Sequence, residues 1–135
     1  MGNRRKSREL ALQALYQAEV CVETPFEHFT LLCDNFEADK KAISYAHALI
    51  EGVGVHGAEI DALIAKHAKN WRVGRMSIID RNLIRIGVFE VLFRDDVPAT
   101  VAINEAIEIA KRYSTDDAPS FINGILDAIS NGQSQ

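Results

Sequence analysis

Cysteine is scarce in this chain: its 135 residues contain only Cys21 and Cys33. With no C-x-x-C pair they exclude a disulfide framework and a cysteine zinc site, and they read as reduced thiols of a cytosolic protein. Long apolar runs are also missing. None approaches the ~20 residues that a membrane helix requires, so no membrane association is expected. The start lacks a charged region leading into an apolar one, so export by a signal peptide is not expected. There is no internal repeat, no low-complexity tract and no linker long enough to divide the chain. What is present is globular in proportion: 47% hydrophobic and 25% charged residues. Residues 1–135 are read as a single domain, large enough to bury a core without staples.

Catalytic patterns are absent too. No H-E-x-x-H, G-x-S-x-G or P-loop occurs. His28, His47, His56 and His67 are scattered, and His47 and His67 fall on apolar helical faces, as core histidines do. Gly52 to Gly57 fits G-x-G-x-x-G literally. That motif needs a preceding strand to aim a helix N-terminus at a pyrophosphate, and an amphipathic helix precedes it here. The glycines read instead as a helix bend or break. Asp95-Asp96 and Asp116-Asp117 precede helix starts, where capping and the helix dipole account for acids. The expectation is no enzyme, no cofactor, no metal and no small-molecule substrate.

Charge is unevenly placed. The formal net charge is −4, yet Arg4, Arg5, Lys6 and Arg8 lie in the first eight residues without an acid. The rest of the chain is correspondingly acidic. A second basic segment holds Lys66, Lys69, Arg72, Arg75, Arg81 and Arg85 against Asp80 alone. Such a body meets a polyanion on one side only. The ordinary alternative is a solvated charge run.

The apolar spacing is helical throughout and predicts an all-α fold of six or seven helices. A basic arm over residues 1–6 leads to a helix capped by Ser7, with Leu10, Ala11, Ala14, Leu15 and Ala18 on one face. Thr24-Pro25 opens a short helix. Residues 38–68 are largely helical, and Trp71 to Arg75 form a connector. Ser77 to Asp80 has capping-box spacing and opens a helix to about Phe93 that is apolar nearly all round, hence central. Ile103, Ala106, Ile107 and Ala110 stripe the next helix. Residues 114–119 form a loop, Asp116 or Asp117 caps a last helix, and 131–135 fray. Glu105 is expected to pair with Arg81 and Arg85 across two helices.

A single-stranded RNA site needs cations for phosphates and rings for bases. The arm offers the first. Tyr16, two turns after Arg8, and Phe121, at the start of the last helix, offer the second. That helix start presents backbone N–H groups to phosphate, and Asp117 can accept from a base amino group. Tyr16 and Phe121 also read as core residues, and Asp117 as a cap.

Four segments in order then resemble the NusB family of bacterial transcription antitermination factors. They are Arg4-Arg5-Lys6-Ser7-Arg8-Glu9 with Ala11 to Tyr16, Trp71 to Arg85, Val97-Pro98 with Val101 to Lys111, and Phe121 to Asp127. The resemblance implies two three-helix bundles packed across each other and no catalysis. It implies binding of the boxA element of ribosomal RNA transcripts together with NusE, a small ribosomal subunit protein. Other Nus factors and RNA polymerase complete the complex, in the bacterial cytoplasm. Carried over by position, Arg4, Arg5, Lys6, Arg8, Tyr16, Asp117 and Phe121 face RNA, and Tyr16 and Asp80 lie where RNA and NusE meet. Gly54, Gly57 and Pro119 depart from the pattern. The alternative of another class is an interaction module of the same fold that binds NusE or another partner without RNA. Similar helical domains also open ribosomal RNA cytosine methyltransferases, but a methyl-donor domain has no room here.

Overall fold

The computed structural model describes residues 2–27, 29–35, 37–68 and 72–133. The expected roles of His28, Lys69 and Trp71 lie outside them. The described residues form seven α-helices: α1 (Gly2–Cys21), α2 (Phe29–Asn35), α3 (Lys40–Val55), α4 (Gly57–His67), α5 (Ile78–Phe93), α6 (Ala99–Tyr113) and α7 (Ala118–Gln133). One 3₁₀ turn, Val73–Arg75, precedes α5. There is no strand among them. No helix is long and apolar enough to cross a membrane.

Helix α5 is the centre, as its sequence predicts. Ser77 caps it by accepting the Asp80 N–H at 3.1 Å. Leu83, Ile84, Ile86, Val88 and Phe89 are all buried. A helix with no polar face has to be surrounded, and α5 packs on α1, α3, α4, α6 and α7. Helices α1 to α3 form one three-helix bundle, α5 to α7 the other, and α4 bridges to α5 and α7.

Two glycines permit the closest approaches. A Cβ at Gly52 of α3 overlaps the Phe89 ring, which is itself stacked beside Phe93 and His56. A Cβ at Gly87 of α5 lies 2.8 Å from Leu126 Cδ1 of α7. The glycine-rich stretch does break the helix: α3 stops at Val55 and α4 restarts at Gly57. His56 at the break lays its ring on Phe93, with centroids 3.9 Å apart.

Several local expectations are corrected. Ser7 is no cap; α1 begins at Gly2, so the basic residues form its first turns rather than a separate arm. Ser7 is buried and donates to the Ala42 carbonyl of α3 at 2.8 Å. Thr24 and Pro25 lie in a turn, and α2 begins only at Phe29. Pro119 sits inside the first turn of α7, where proline is tolerated because the first helical N–H groups have no intrahelical partner. The helix extends through Gln133, so residues 131–133 are its last turn, and 134–135 lie outside the described residues. His47 is exposed and stacks on Phe26 at 4.4 Å instead of entering the core.

Gly52→Ala is expected to cost about 1–3 kcal/mol through the clash with Phe89. Gly54→Ala, with open space at its Cβ, is expected to stabilise by up to ~1 kcal/mol. Urea denaturation of the two variants reads both signs.

Candidate nucleic-acid interface

The first turns of α1 lie on α6 and on the end of α5, held by ion pairs. Arg8 is buried and grips Glu90 of α5 with two hydrogen bonds, Nε to Oε1 at 2.8 Å and Nη2 to Oε2 at 2.9 Å. The Tyr45 hydroxyl of α3 donates to the same carboxylate. Arg8 Nη1 also reaches Glu105 of α6 at 3.3 Å. Burial disfavours the charged guanidinium of Arg8, but the bonds and charge of Glu90 outweigh it and its pKa is raised. Burial, and next the bond to Glu90, push the Tyr45 hydroxyl up. A buried carboxylate needs such partners, because an unpaired charge in the interior is very costly.

The other arm residues sit further out. Arg5 clamps Glu105 with bonds of 3.0 and 2.6 Å. Arg4 reaches Asp96 at 3.1 Å and lies over the Tyr45 ring, 3.9 Å from its centroid. Arg94 shares that carboxylate, at 3.1 and 3.0 Å, and lies over the same ring at 4.9 Å. Asp96 is therefore an ion-pair member and not a cap; the residue capping α6 is Pro98, without a side-chain bond. Lys6 has no ion pair among the described residues. Arg4, Arg5 and Arg8 line a cleft of about 430 Å³ with Pro98, Val101 and Glu105.

The expected pairing of Glu105 with Arg81 and Arg85 does not occur. Glu105 takes Arg5 and Arg8, while Arg81 and Arg85 converge on Glu19 of α1, and Arg85 also holds Asp61 of α4 at 2.8 Å through both Nε and Nη2. The central helix is thus tied to α1 and to α4 by different acids. The second basic segment is correspondingly split: Arg81 and Arg85 are paired inward, and Arg72 and Arg75 are exposed.

Asp80, Asp117 and Phe121 come together in a second cleft of about 300 Å³, with Arg75 and Thr115 on its walls. Ser114, at the end of α6, donates to the Asp80 carboxylate at 2.6 Å. This leaves the reciprocal half of the capping box unmade. Asp117 precedes α7 with an exposed side chain, and its carbonyl accepts the Phe121 N–H at 3.3 Å. Phe121 is half-buried against the core. The first cleft lies at the start of α6, with Pro98, Val101 and Glu105 in its lining, and the second lies past the end of α6, on Asp80, Thr115, Asp117 and Phe121. Tyr16 is exposed on α1 and lines neither cleft. Arg8 does not share a surface with it, because Arg8 faces inward.

Sequence reasoning missed Tyr45, Glu90 and Asp96 as the partners that fix the arm. Glu90 carried one signal: an acid in a helix that is apolar all round must find a buried cation. Among the described residues no group of three or more His, Cys, Asp and Glu is placed to hold a metal ion.

A small all-α protein with a cation-bearing helix start and two surface clefts, one at the start of α6 and one past its end, is the class these features define. A model of the NusB family matches residues 5–131, and the chain belongs to that family. Transcription antitermination protein NusB of Desulfotalea psychrophila is 50% identical over 135 residues, covering 96% of each chain. T. maritima NusB, a solved structure, shares 38% identity over 95% of this chain and 90% of its own, with a TM-score of 0.82. A chain in the crystal structure of antitermination factors NusB and NusE in complex with dsRNA matches at 29% identity, 98% coverage of both chains and a TM-score of 0.88.

Two outcomes follow for the ion pairs. Arg8→Met is expected to cost about 3–5 kcal/mol in denaturant unfolding, because it strands Glu90; Arg8→Met with Glu90→Leu and Tyr45→Phe, which also removes the hydroxyl that Glu90 accepts from, is expected to recover most of that loss.

The second concerns pH. Hydrogen bonds from Arg94, then Arg4, hold Asp96 down at about 2, against an ordinary 3.8. Bonds from Arg5 hold Glu105 below 4.5. At Glu19 burial pushes upward, but Arg81 and Asn82 outweigh it, and the net shift is down. The unfolded chain takes up these protons at higher pH than the folded one. Stability is therefore complete above about pH 5 and falls as the pH drops from about 4.5 toward 2. Thermal melts across that range are expected to show the decline, with a shallower acid slope for Glu105→Gln.

Proposed function

We propose that this chain is a non-catalytic transcription antitermination factor that binds boxA RNA of ribosomal RNA transcripts cooperatively with NusE. The observation that carries this is the arrangement along α6. Arg4 and Arg5 line the cleft at one end, with Lys6 half-buried beside them in sequence, and Asp117 and Phe121 line the cleft at the other. Phosphate contacts at the first and base contacts at the second divide the labour as single-strand recognition requires. The relatives' name and the NusB–NusE structure with RNA support the same reading.

Roles follow from exposure. Arg4, Arg5 and Lys6 contact phosphates. Arg8 is a positioning residue, because its guanidinium is committed to Glu90. Phe121 stacks on a base, Asp117 accepts from a base edge, and Tyr16 and Asp80 lie toward NusE. A second reading has one observation in its favour: Arg4 and Arg5 are already paired with acids, as in an interaction module that binds NusE and no RNA.

Binding of boxA RNA with and without NusE separates the two. With Arg8 inside, only three arm cations can meet phosphates, so their share of the salt slope on single-stranded RNA is expected to be about −2. Arg4→Ala/Arg5→Ala/Lys6→Ala, leaving Arg8 intact, is expected to remove that share and most of the affinity while NusE still binds. Phe121→Ala is expected to cost about 1–3 kcal/mol of RNA binding, the worth of one stacked base. NusE binding without RNA binding at low salt contradicts the proposal and leaves the interaction module.

A further inference from the structure

A third cleft, of about 510 Å³, opens on the other side of Arg4. Its walls carry Arg4, Lys40, Lys41 and Arg94, with Ser44 among them and no carboxylate. Lys40 and Lys41 are the first residues of α3, both exposed, and neither has an ion pair or side-chain hydrogen bond among the described residues. The acids bound to this wall are committed elsewhere. Asp96 is shared by Arg4 and Arg94, Glu90 serves Arg8 and Tyr45, and Asp39 accepts the Ala42 N–H at 2.8 Å as the α3 cap. The wall therefore keeps an excess of positive charge, on a helix end whose dipole adds to it.

Arg4 lines both this cleft and the Pro98–Val101 cleft, so the two are neighbours with Arg4 between them. We infer that the α3 start is a second phosphate-binding segment, which carries the backbone of an RNA strand past Arg4 and over Lys40 and Lys41. Its ligand is phosphodiester, read without regard to base: no aromatic face is open there, since the Tyr45 ring is covered by Arg4 and Arg94. This inference rests on the reading that the arm holds RNA, and extends the strand beyond it. The strand that occupies both clefts is longer than the one that spans α6 alone.

The test uses the full chain and two RNAs. One is a minimal boxA oligonucleotide; the other carries a few further nucleotides on each side, enough to pass from one cleft into the next. The extended RNA is expected to bind wild type more tightly, with the salt slope steeper by about 1.4, the share of two phosphate contacts on a single strand. Lys40→Gln/Lys41→Gln is expected to abolish that gain and leave minimal-RNA and NusE binding unchanged. Lys40→Arg/Lys41→Arg is expected to keep it. Both lysines are exposed and unbonded, so folding is not at stake, and circular dichroism verifies that. An extension that brings no gain, or a Gln variant that retains it, overturns the inference while leaving the α6 reading intact. Inorganic triphosphate that binds wild type but not the Gln variant, with extended-RNA affinity untouched, assigns the cleft to a free polyphosphate and also overturns it. Wild type that binds neither RNA, alone or with NusE, overturns both readings.

Discussion

The buried pair between Arg8 and Glu90 is the constraint on which the rest of the structure depends. Glu90 is buried near the end of α5, the central helix. Its carboxylate accepts from Arg8 of α1 and Tyr45 of α3, and Arg8 turns its remaining side toward Glu105 of α6. Three helices thus meet at the Glu90 carboxylate, and a fourth joins through Arg8. Such a pair adds little net stability over an apolar substitute, but leaving one member alone is costly. It acts as a register mark: α1 cannot slide or rotate on α5 without stranding a buried charge. The register sets where Arg4, Arg5 and Lys6 emerge.

Those outer cations are poised rather than free. On the proposed reading, RNA draws Arg5 away from Glu105 and Arg4 away from Asp96, or uses the guanidinium donors those acids leave open. Exposed pairs are weak in water, so the exchange is affordable but not strongly driven. An acidic body with few available cations holds RNA loosely on its own. A partner that lengthens the RNA surface raises affinity by linkage, without new contacts on this chain. Helix α6 sets the spacing, with the cation cleft near its start and the Asp117–Phe121 cleft beyond its end.

Much of the fold was legible because its signals are local. Ser77 and Asp80 announced the start of α5, its all-round apolarity announced its central place, and the glycines at 52–57 announced the break before α4. The errors came where a long-range contact overrode a local preference. Ser7 looks like a cap but is consumed by the Ala42 carbonyl across the bundle. His47 fits an apolar stripe, yet the buried face of α3 runs through Ala42, Tyr45, Ala46, Leu49 and Ile50, and His47 falls off its edge. Glu105 announced that it needed a cation but not which one, since Arg5 and Arg8 stand a hundred residues away in sequence. The candidate site was legible as residue types and only half legible as geometry. Phe121, Asp117 and Asp80 do gather in one cleft, whereas Tyr16 stands apart and Arg8 turns inward.

Arginine side-chain NMR during titration with boxA RNA and NusE tests the division between positioning and binding cations most directly. The expected result is that the Nε–H signals of Arg4 and Arg5 shift on RNA binding, while that of Arg8 stays in place and remains protected from exchange. A shift of Arg8 with loss of its protection, and Arg4 and Arg5 unmoved, contradicts it: the buried pair then opens to RNA, and the register mark is itself the binding site.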